Sequence, residues 1–154
     1  MDKILGGLVL VNGTDIWTIY GAFLVEDKRG GMDNLTAILT PSKAKADTAV
    51  DIREEDGEKY SAVLTPRNEA RDVTLHFALY NKTQAGWLKK YFEFINFLKQ
   101  GKDGWLDISF PQIGLTLHVK YADSPKFKPL TYLWKEGVHA GKFKVKFREP
   151  KPII

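Results

Sequence analysis

The chain has 154 residues, 44% hydrophobic and 12% aromatic, with no cysteine and a formal net charge of +4. That composition belongs to a folded chain with one hydrophobic core, and it excludes a disulfide framework and thiolate chemistry. The 23 basic residues are nearly offset by 19 acidic ones, so the basic balance raises the expectation of a polyanionic partner only slightly.

Residues 1–154 read as a single domain. Ile4–Val11 reads as a buried first strand. As a secretory signal its apolar run is short, Asp2 precedes it and no small-residue cleavage site follows, so the strand is the stronger reading. No run approaches the length of a membrane span. Asn12-Gly13 is a turn dipeptide, because both residues tolerate positive φ. Ile16–Val25 alternates loosely and is expected as a second strand or strand pair, with Gly21 marking a bulge or a close backbone approach. Leu35–Leu39 is expected as a short strand closed by Thr40-Pro41.

The stretch 41–59 is the least regular. It is polar and carries the run Asp51-Ile52-Arg53-Glu54-Glu55-Asp56-Gly57-Glu58-Lys59. A loop of that length is either a solvated excursion or an arm that reaches a neighbouring subunit. Tyr60–Leu64 is a further short strand. Val73–Tyr80 alternates cleanly, with Val73, Leu75, Phe77 and Leu79 on one face.

One helix is predicted over 83–99. Thr83 is a suitable N-cap and Gly101 a suitable residue just past the end, with Lys99 and Lys102 near the negative end of the helix dipole. At about 100° per residue, Trp87, Leu88, Tyr91, Phe92, Phe94, Ile95 and Leu98 share one face. Lys89, Lys90, Glu93 and Asn96 lie opposite. Phe97 falls on the polar side, either as a lone exposed aromatic or as a contact residue.

Trp105–Phe110 and Gly114–Tyr121 read as a hairpin with Leu115, Leu117 and Val119 inward. Ser124–Pro129 reads as a loop. Thr131–Glu136 and the strand 141–148 are expected to pair. That last strand sends Phe143, Val145 and Phe147 one way and Lys142, Lys144, Lys146 and Arg148 the other. The four cations span about 20 Å of one face. They either follow a phosphate backbone or protect an edge or outer strand against aggregation.

Site chemistry is sparse. His76, His118 and His139 lie in separate segments without metal-ligand spacing. No nucleophile elbow, phosphate loop, dinucleotide glycine pattern or zinc helix occurs, and the acidic run lacks the spacing of a calcium loop. No metal and no cofactor are expected, and the chain is not expected to be an enzyme. The three matches to the glycosylation sequon, at Asn12, Asn34 and Asn81, read as chance.

Val11-Asn12-Gly13-Thr14-Asp15-Ile16 with Tyr20-Gly21-Ala22-Phe23-Leu24 resembles the opening of phage tail proteins. Asp51–Gly57 followed by Arg71-Asp72-Val73-Thr74-Leu75-His76-Phe77, the segment Phe94–Leu98 with Gly101, and Trp105-Leu106-Asp107-Ile108 continue the likeness. Phe143–Pro150 closes it. In this order the chain is similar to the N-terminal domain of distal tail proteins and, more distantly, to tail tube proteins. The family's loop often has a Gly-Arg-Asp-Gly core, where this chain reads Arg53-Glu54-Glu55-Asp56-Gly57. Many distal tail proteins carry a further carbohydrate-binding-like domain. No such domain is contained in these residues, so carbohydrate binding is not expected of them.

The resemblance implies a mainly β, α+β fold: antiparallel strands in a β-sandwich or barrel, with a single amphipathic helix packed on the side, as in tail tubes. It implies a structural role in a phage or prophage tail, as a hexameric ring joining tail tube to tail tip. Partners would be other copies and other phage tail proteins, with DNA only as cargo in transit, no membrane and no small-molecule substrate. The protein would be made in the bacterial host cytoplasm and reside in the virion tail. Phe97, Arg53, Glu54, Glu55 and Asp56 are the candidate subunit interface. Lys142, Lys144, Lys146 and Arg148 are expected to face a polyanion or a partner, either outward from the ring or against acids on a neighbour. The alternative is a small β-rich nucleic-acid-binding domain that uses the same C-terminal strand.

Overall fold

The computed structural model describes residues 6–154, apart from 27, 29, 47, 48, 52, 54, 55, 61 and 65. Its strands are β1 (Leu10–Val11), β2 (Thr14–Asp15), β3 (Ala22–Leu24), β4 (Ala49–Asp51), β5 (Glu58–Tyr60), β6 (Arg71–Asn81), β7 (Leu106–Phe110), β8 (Leu115–Asp123), β9 (Phe127–Pro129) and β10 (His139–Glu149). Its helices are α1 (Ile16–Tyr20), α2 (Asp33–Leu39) and α3 (Gln84–Gln100). The fold is mainly β with helices. An eight-stranded antiparallel sheet runs β2-β1-β7-β8-β10-β6-β3, with β9 also on β10, and β4 and β5 form a separate ribbon.

The sheet is built around β6 and β10, which pair along their whole length from His139 opposite Asn81 to Glu149 opposite Arg71. Alternation puts Val73, Leu75, Phe77 and Leu79 with Phe143, Val145 and Phe147 on one buried face. β8 turns the corner. Leu115–Val119 pair with β7, whereas Lys120, Tyr121 and Asp123 pair with β10, where the register shifts between Lys146 and Phe147. Such an irregularity adds local bend and twist, and the sheet curls into a half-barrel.

Helix α3 packs on the inner face of that curl. Thr83 Oγ1 accepts from the Gly86 amide at 3.0 Å, as its N-cap position requires. Trp87, Phe94 and Leu98 are buried, and the Trp87 indole donates to the Leu79 carbonyl at 2.8 Å. Gly101 is obligatory: φ is +50°, and an added Cβ would lie 2.3 Å from the Trp105 carbonyl oxygen. The Asn12-Gly13 turn behaves as expected, with both φ values positive. It also docks on β7, where the Asp107 amide donates to Asn12 Oδ1 at 2.8 Å.

Several expected elements differ. Of the expected strand Ile4–Val11, in which residues 4 and 5 lie outside the described residues, only Leu10 and Val11 form β1. Of Tyr60–Leu64 only Tyr60 is strand, as the last residue of β5, while residues 62–64 are bend or irregular. Within Ile16–Val25, residues Ile16–Tyr20 are helical, and only Ala22–Leu24 form a strand. Asp15 caps the start through the Trp17 amide at 3.1 Å. Gly21, at φ +71° and directly against the Tyr80 carbonyl, closes the end. Two caps and burial of Ile16 outweigh the strand preference of Ile, Trp, Thr and Tyr. The predicted strand Leu35–Leu39 is helix α2, which buries Asn34 and Ile38 one turn apart. Thr131–Glu136 is not the partner of the last strand. That place is taken by β6 and by β9, inside the predicted loop Ser124–Pro129. There the Phe127 ring lies where a Cβ on residue 141 would sit, so Gly141 admits it. The last strand is therefore an interior strand, and edge protection does not explain its lysines.

Asn34 completes the edge of the sheet. Beyond β3, its side chain takes the place of a strand: Oδ1 accepts from the His76 amide at 2.7 Å and Nδ2 donates to the Val25 carbonyl at 2.8 Å. Asn34→Leu strands the His76 amide and is expected to destabilise the chain by about 1–3 kcal/mol in urea denaturation. Faster hydrogen exchange at His76 is the local signature, and an unchanged rate there would refute this account of Asn34.

Candidate interaction surfaces

The interface residues expected from sequence fall in different environments. Phe97 is half-buried, and its ring stacks on Tyr20 at 5.4 Å. Helix α1 covers the side of α3 that the pattern assigned to solvent, so Phe97 is part of the packing and not an open contact. Burial there, with the Glu93 carboxylate nearby, raises the Tyr20 phenol above its ordinary pKa. The converse holds for Phe92, which the pattern placed on the buried face and which is 61% exposed.

Arg53 and Asp56 are exposed on the segment joining β4 to β5, and Glu54 and Glu55 lie outside the described residues. The stretch 41–59 is not irregular throughout, because β4 and β5 pair from Ala49–Tyr60 to Asp51–Glu58. The root of this ribbon is tied by an Ala44–Asn68 bridge and by the Lys45 amide donating to the Arg67 carbonyl at 2.7 Å.

Lys142, Lys144, Lys146 and Arg148 share the outer face of β10, as alternation requires. They are not equivalent. Arg148 pairs with Asp72 at 3.0 Å, and Lys142 Nζ is 3.4 Å from the Glu26 carbonyl oxygen. Lys144 is exposed opposite His76, and Lys146 stands opposite Thr74. The structure adds two cations that the sequence reading left in a loop. β9 sets Lys128 directly opposite Lys142, and Lys126 lies beside it. Lys126, Lys128, Lys142 and Lys144 line one groove with His76, over a floor that includes Val25, Phe77 and Phe143. Among the described residues, Glu26 is the one carboxylate lining it.

The three histidines sit in separate environments, as they do in sequence. His76 is held through its backbone by Asn34. His118 meets Asp107 at 2.7 Å with the Trp105 ring stacked on it at 4.8 Å, on the exposed face of the β7–β8 hairpin. His139 is buried, 2.8 Å from Thr131 Oγ1 and 2.5 Å from the Lys135 carbonyl, and it ties down the segment 130–138. Tyr132 and Trp134 of that segment are 77% and 89% exposed. Their exposure is invisible in a reading that made the segment a strand. Among the described residues no cluster of His, Asp and Glu is arranged to hold a metal ion, and no helix is long and apolar enough to cross a membrane.

No model of a known protein family matches the sequence, and no curated protein matches it. Among solved structures, the chain is similar to the crystal structure of the SPP1 Dit protein, described as a paradigm of the hub adsorption apparatus in phages that infect Gram-positive bacteria. The TM-score is 0.56 at 15% sequence identity, over 94% of this chain and 50% of that one. At that identity the likeness establishes the fold. The chain spans about half the length of the Dit protein it matches.

Proposed function

We propose that this chain is a non-enzymatic structural subunit of a phage or prophage tail, a distal-tail hub or tube-like component. In this reading it assembles as a ring between tail tube and tail tip, with DNA passing through the ring and other tail proteins docking on it. The observation that carries the reading is the likeness of 94% of the chain to a hub protein, in a fold whose sequence motifs had already suggested that family. The surface is consistent with it: the exposed strand β5 of the separate two-stranded ribbon and the exposed Tyr132 and Trp134 offer contact areas on one subunit. Rings close by heterologous contacts, in which one patch meets a different patch on the next copy.

The test is the mass in solution by light scattering across a concentration series at low salt. A discrete ring-sized species, or a steady rise toward one, is expected. A mass that stays at 17.5 kDa at every concentration would overturn the ring. The nucleic-acid reading rests on the same lysines and predicts salt-sensitive DNA binding lost on Lys144→Glu with Lys146→Glu. It is the weaker reading, because Arg148 is already neutralised by Asp72 and Lys142 already lies over the Glu26 backbone.

A further inference from the structure

We propose that the lysine groove on β9 and β10 is a binding site for a short oligophosphate, two or three linked phosphates. The site goes beyond the ring reading and does not depend on it. The first observation is a conflict of like charges. β9 sets Lys128 directly opposite Lys142, and one step along the same register Lys126 comes opposite Lys144. Opposed residues lie about 5 Å apart at Cβ, and alternate residues of one strand about 7 Å apart. The four lysines thus form a two-by-two array, and like charges directly across strands destabilise a sheet.

Nothing among the described residues relieves that conflict. None of the four lysines makes an ion pair there. The Glu26 carboxylate is committed to the start of α2: Oε2 accepts from the Asp33 amide at 2.5 Å and Oε1 from Asn34 Nδ2 at 3.5 Å. Lys142 Nζ reaches only the Glu26 backbone carbonyl. Local conflicts of this kind concentrate at functional sites, where a ligand resolves them.

The second observation is shape. The four lysines converge with His76 on a concavity of about 300 Å³. Its walls are fixed by hydrogen bonds. The Ser124 hydroxyl donates to the Lys144 carbonyl at 2.7 Å and holds the approach to β9. Asn34 Oδ1 fixes the His76 amide at 2.7 Å. The His76 ring, opposite Lys144 in register, brings an N–H donor to the wall.

The third observation selects the ligand. Among the described residues, every cation lining the groove besides His76 is a lysine. Lysine meets phosphate oxygens as a point charge, without the planar fork by which arginine grips a carboxylate. Four lysines against one carboxylate leave an excess of three positive charges. A single phosphate group carries about −1.5 to −2 at neutral pH, too little to match them, whereas two or three linked phosphates suffice. Phe77 and Phe143 turn their rings to Phe94 in the core. The groove therefore lacks, among the described residues, the aromatic platform on which single-stranded bases stack.

The test is calorimetric titration of the full chain at low salt with sodium tripolyphosphate. One-to-one binding is expected, at least about tenfold tighter than orthophosphate. Lys128→Gln with Lys144→Gln, at two exposed positions, weakens it at least about tenfold. Lys120→Gln with Lys146→Gln removes the same charge outside the groove and leaves affinity within about twofold. The groove variant also relieves the opposed lysines, so without ligand it melts no lower than the original chain. Saturating tripolyphosphate raises the melting temperature of the original chain, which reads the site without any variant.

A loss of binding confined to the groove variant supports the site. No binding at millimolar tripolyphosphate overturns it, and so does equal weakening in both variants, which is net charge alone. Adenosine triphosphate separates two sources of the same chemistry. Affinity equal to that of tripolyphosphate supports the phosphate chain by itself as the ligand, and tighter binding supports the site with a nucleotide as the source. If short duplex DNA displaces tripolyphosphate and binds at least about tenfold more tightly, the groove belongs to nucleic acid and the proposal is overturned. The ring is read from mass in solution and the site from this titration, so each can fail alone.

Discussion

Phe77→Ala lowers the unfolding free energy by about 3–5 kcal/mol, the range for deleting a fully buried phenylalanine. Phe77 has no exposed surface, and its ring centroid lies 5.6 Å from Phe94, 5.9 Å from Phe143 and 6.4 Å from Phe147. It thus joins β6, β10 and α3 at one point. Removing it takes away transfer free energy and leaves a cavity that three rigid elements cannot close. The check is urea denaturation with an unchanged slope and a lower midpoint. Phe92→Ala is the control, since a change at a largely exposed aromatic stays within about 0.5 kcal/mol. If the two variants lose equal stability, α3 is rotated relative to the arrangement described above.

That pair of variants also marks how far sequence reasoning reaches. Strict alternation identified the buried faces of β6 and β10, because each strand buries one face in the core and turns the other outward, so its period of two is written in the side chains. Thr83 and Gly101 bounded α3, because caps are local chemistry. The face of α3 was legible only in part. Helical periodicity orders the residues around the axis but does not say which other elements arrive, and α1 arrives over Phe97. Helix α1 was missed because its residues, Ile16-Trp17-Thr18-Ile19-Tyr20, favour strands on propensity. Its helical state depends on Asp15 and on the αL turn at Gly21. The site followed the same rule. Lys142, Lys144, Lys146 and Arg148 were visible as a period of two. Lys126 and Lys128 were not, because they join the groove only through the pairing of β9 with β10. The signal that would have found β9 is Gly141, an unpacked position in an otherwise bulky strand that must accept a ring from elsewhere.

At the other end of the same strand pair lies a buried ion pair whose loss is asymmetric. Arg71 and Glu149 stand opposite each other in register and are 7% and 0% exposed, with Nε to Oε1 at 2.5 Å. Arg71 Nη1 also donates to the Thr40 carbonyl at the end of α2. The other guanidinium nitrogen and the other carboxylate oxygen are buried without a hydrogen-bond partner. A buried pair satisfied only in part recovers little of the cost of removing two charges from water. Breaking it is a different matter. Arg71→Met leaves a buried carboxylate unpaired, Glu149→Leu leaves a buried guanidinium with one carbonyl, and each is expected to cost about 3–5 kcal/mol. The double variant Arg71→Met with Glu149→Leu removes both charges and both orphaned atoms. It is expected within about 1 kcal/mol of the original chain, so the double-mutant cycle shows a coupling larger than either exposed pair would give. If the single losses simply add, the pair is not what makes this end of the core costly to disturb. The same cycle bears on assembly. Arg71 holds the carbonyl of Thr40, Ser42 holds the Ile154 carbonyl through its amide at 3.1 Å, and the ribbon begins just beyond. A stable double variant that still self-associates would separate the ribbon's role in contact from the pair's role in folding. Its failure to associate would place the pair in the support of the ribbon root.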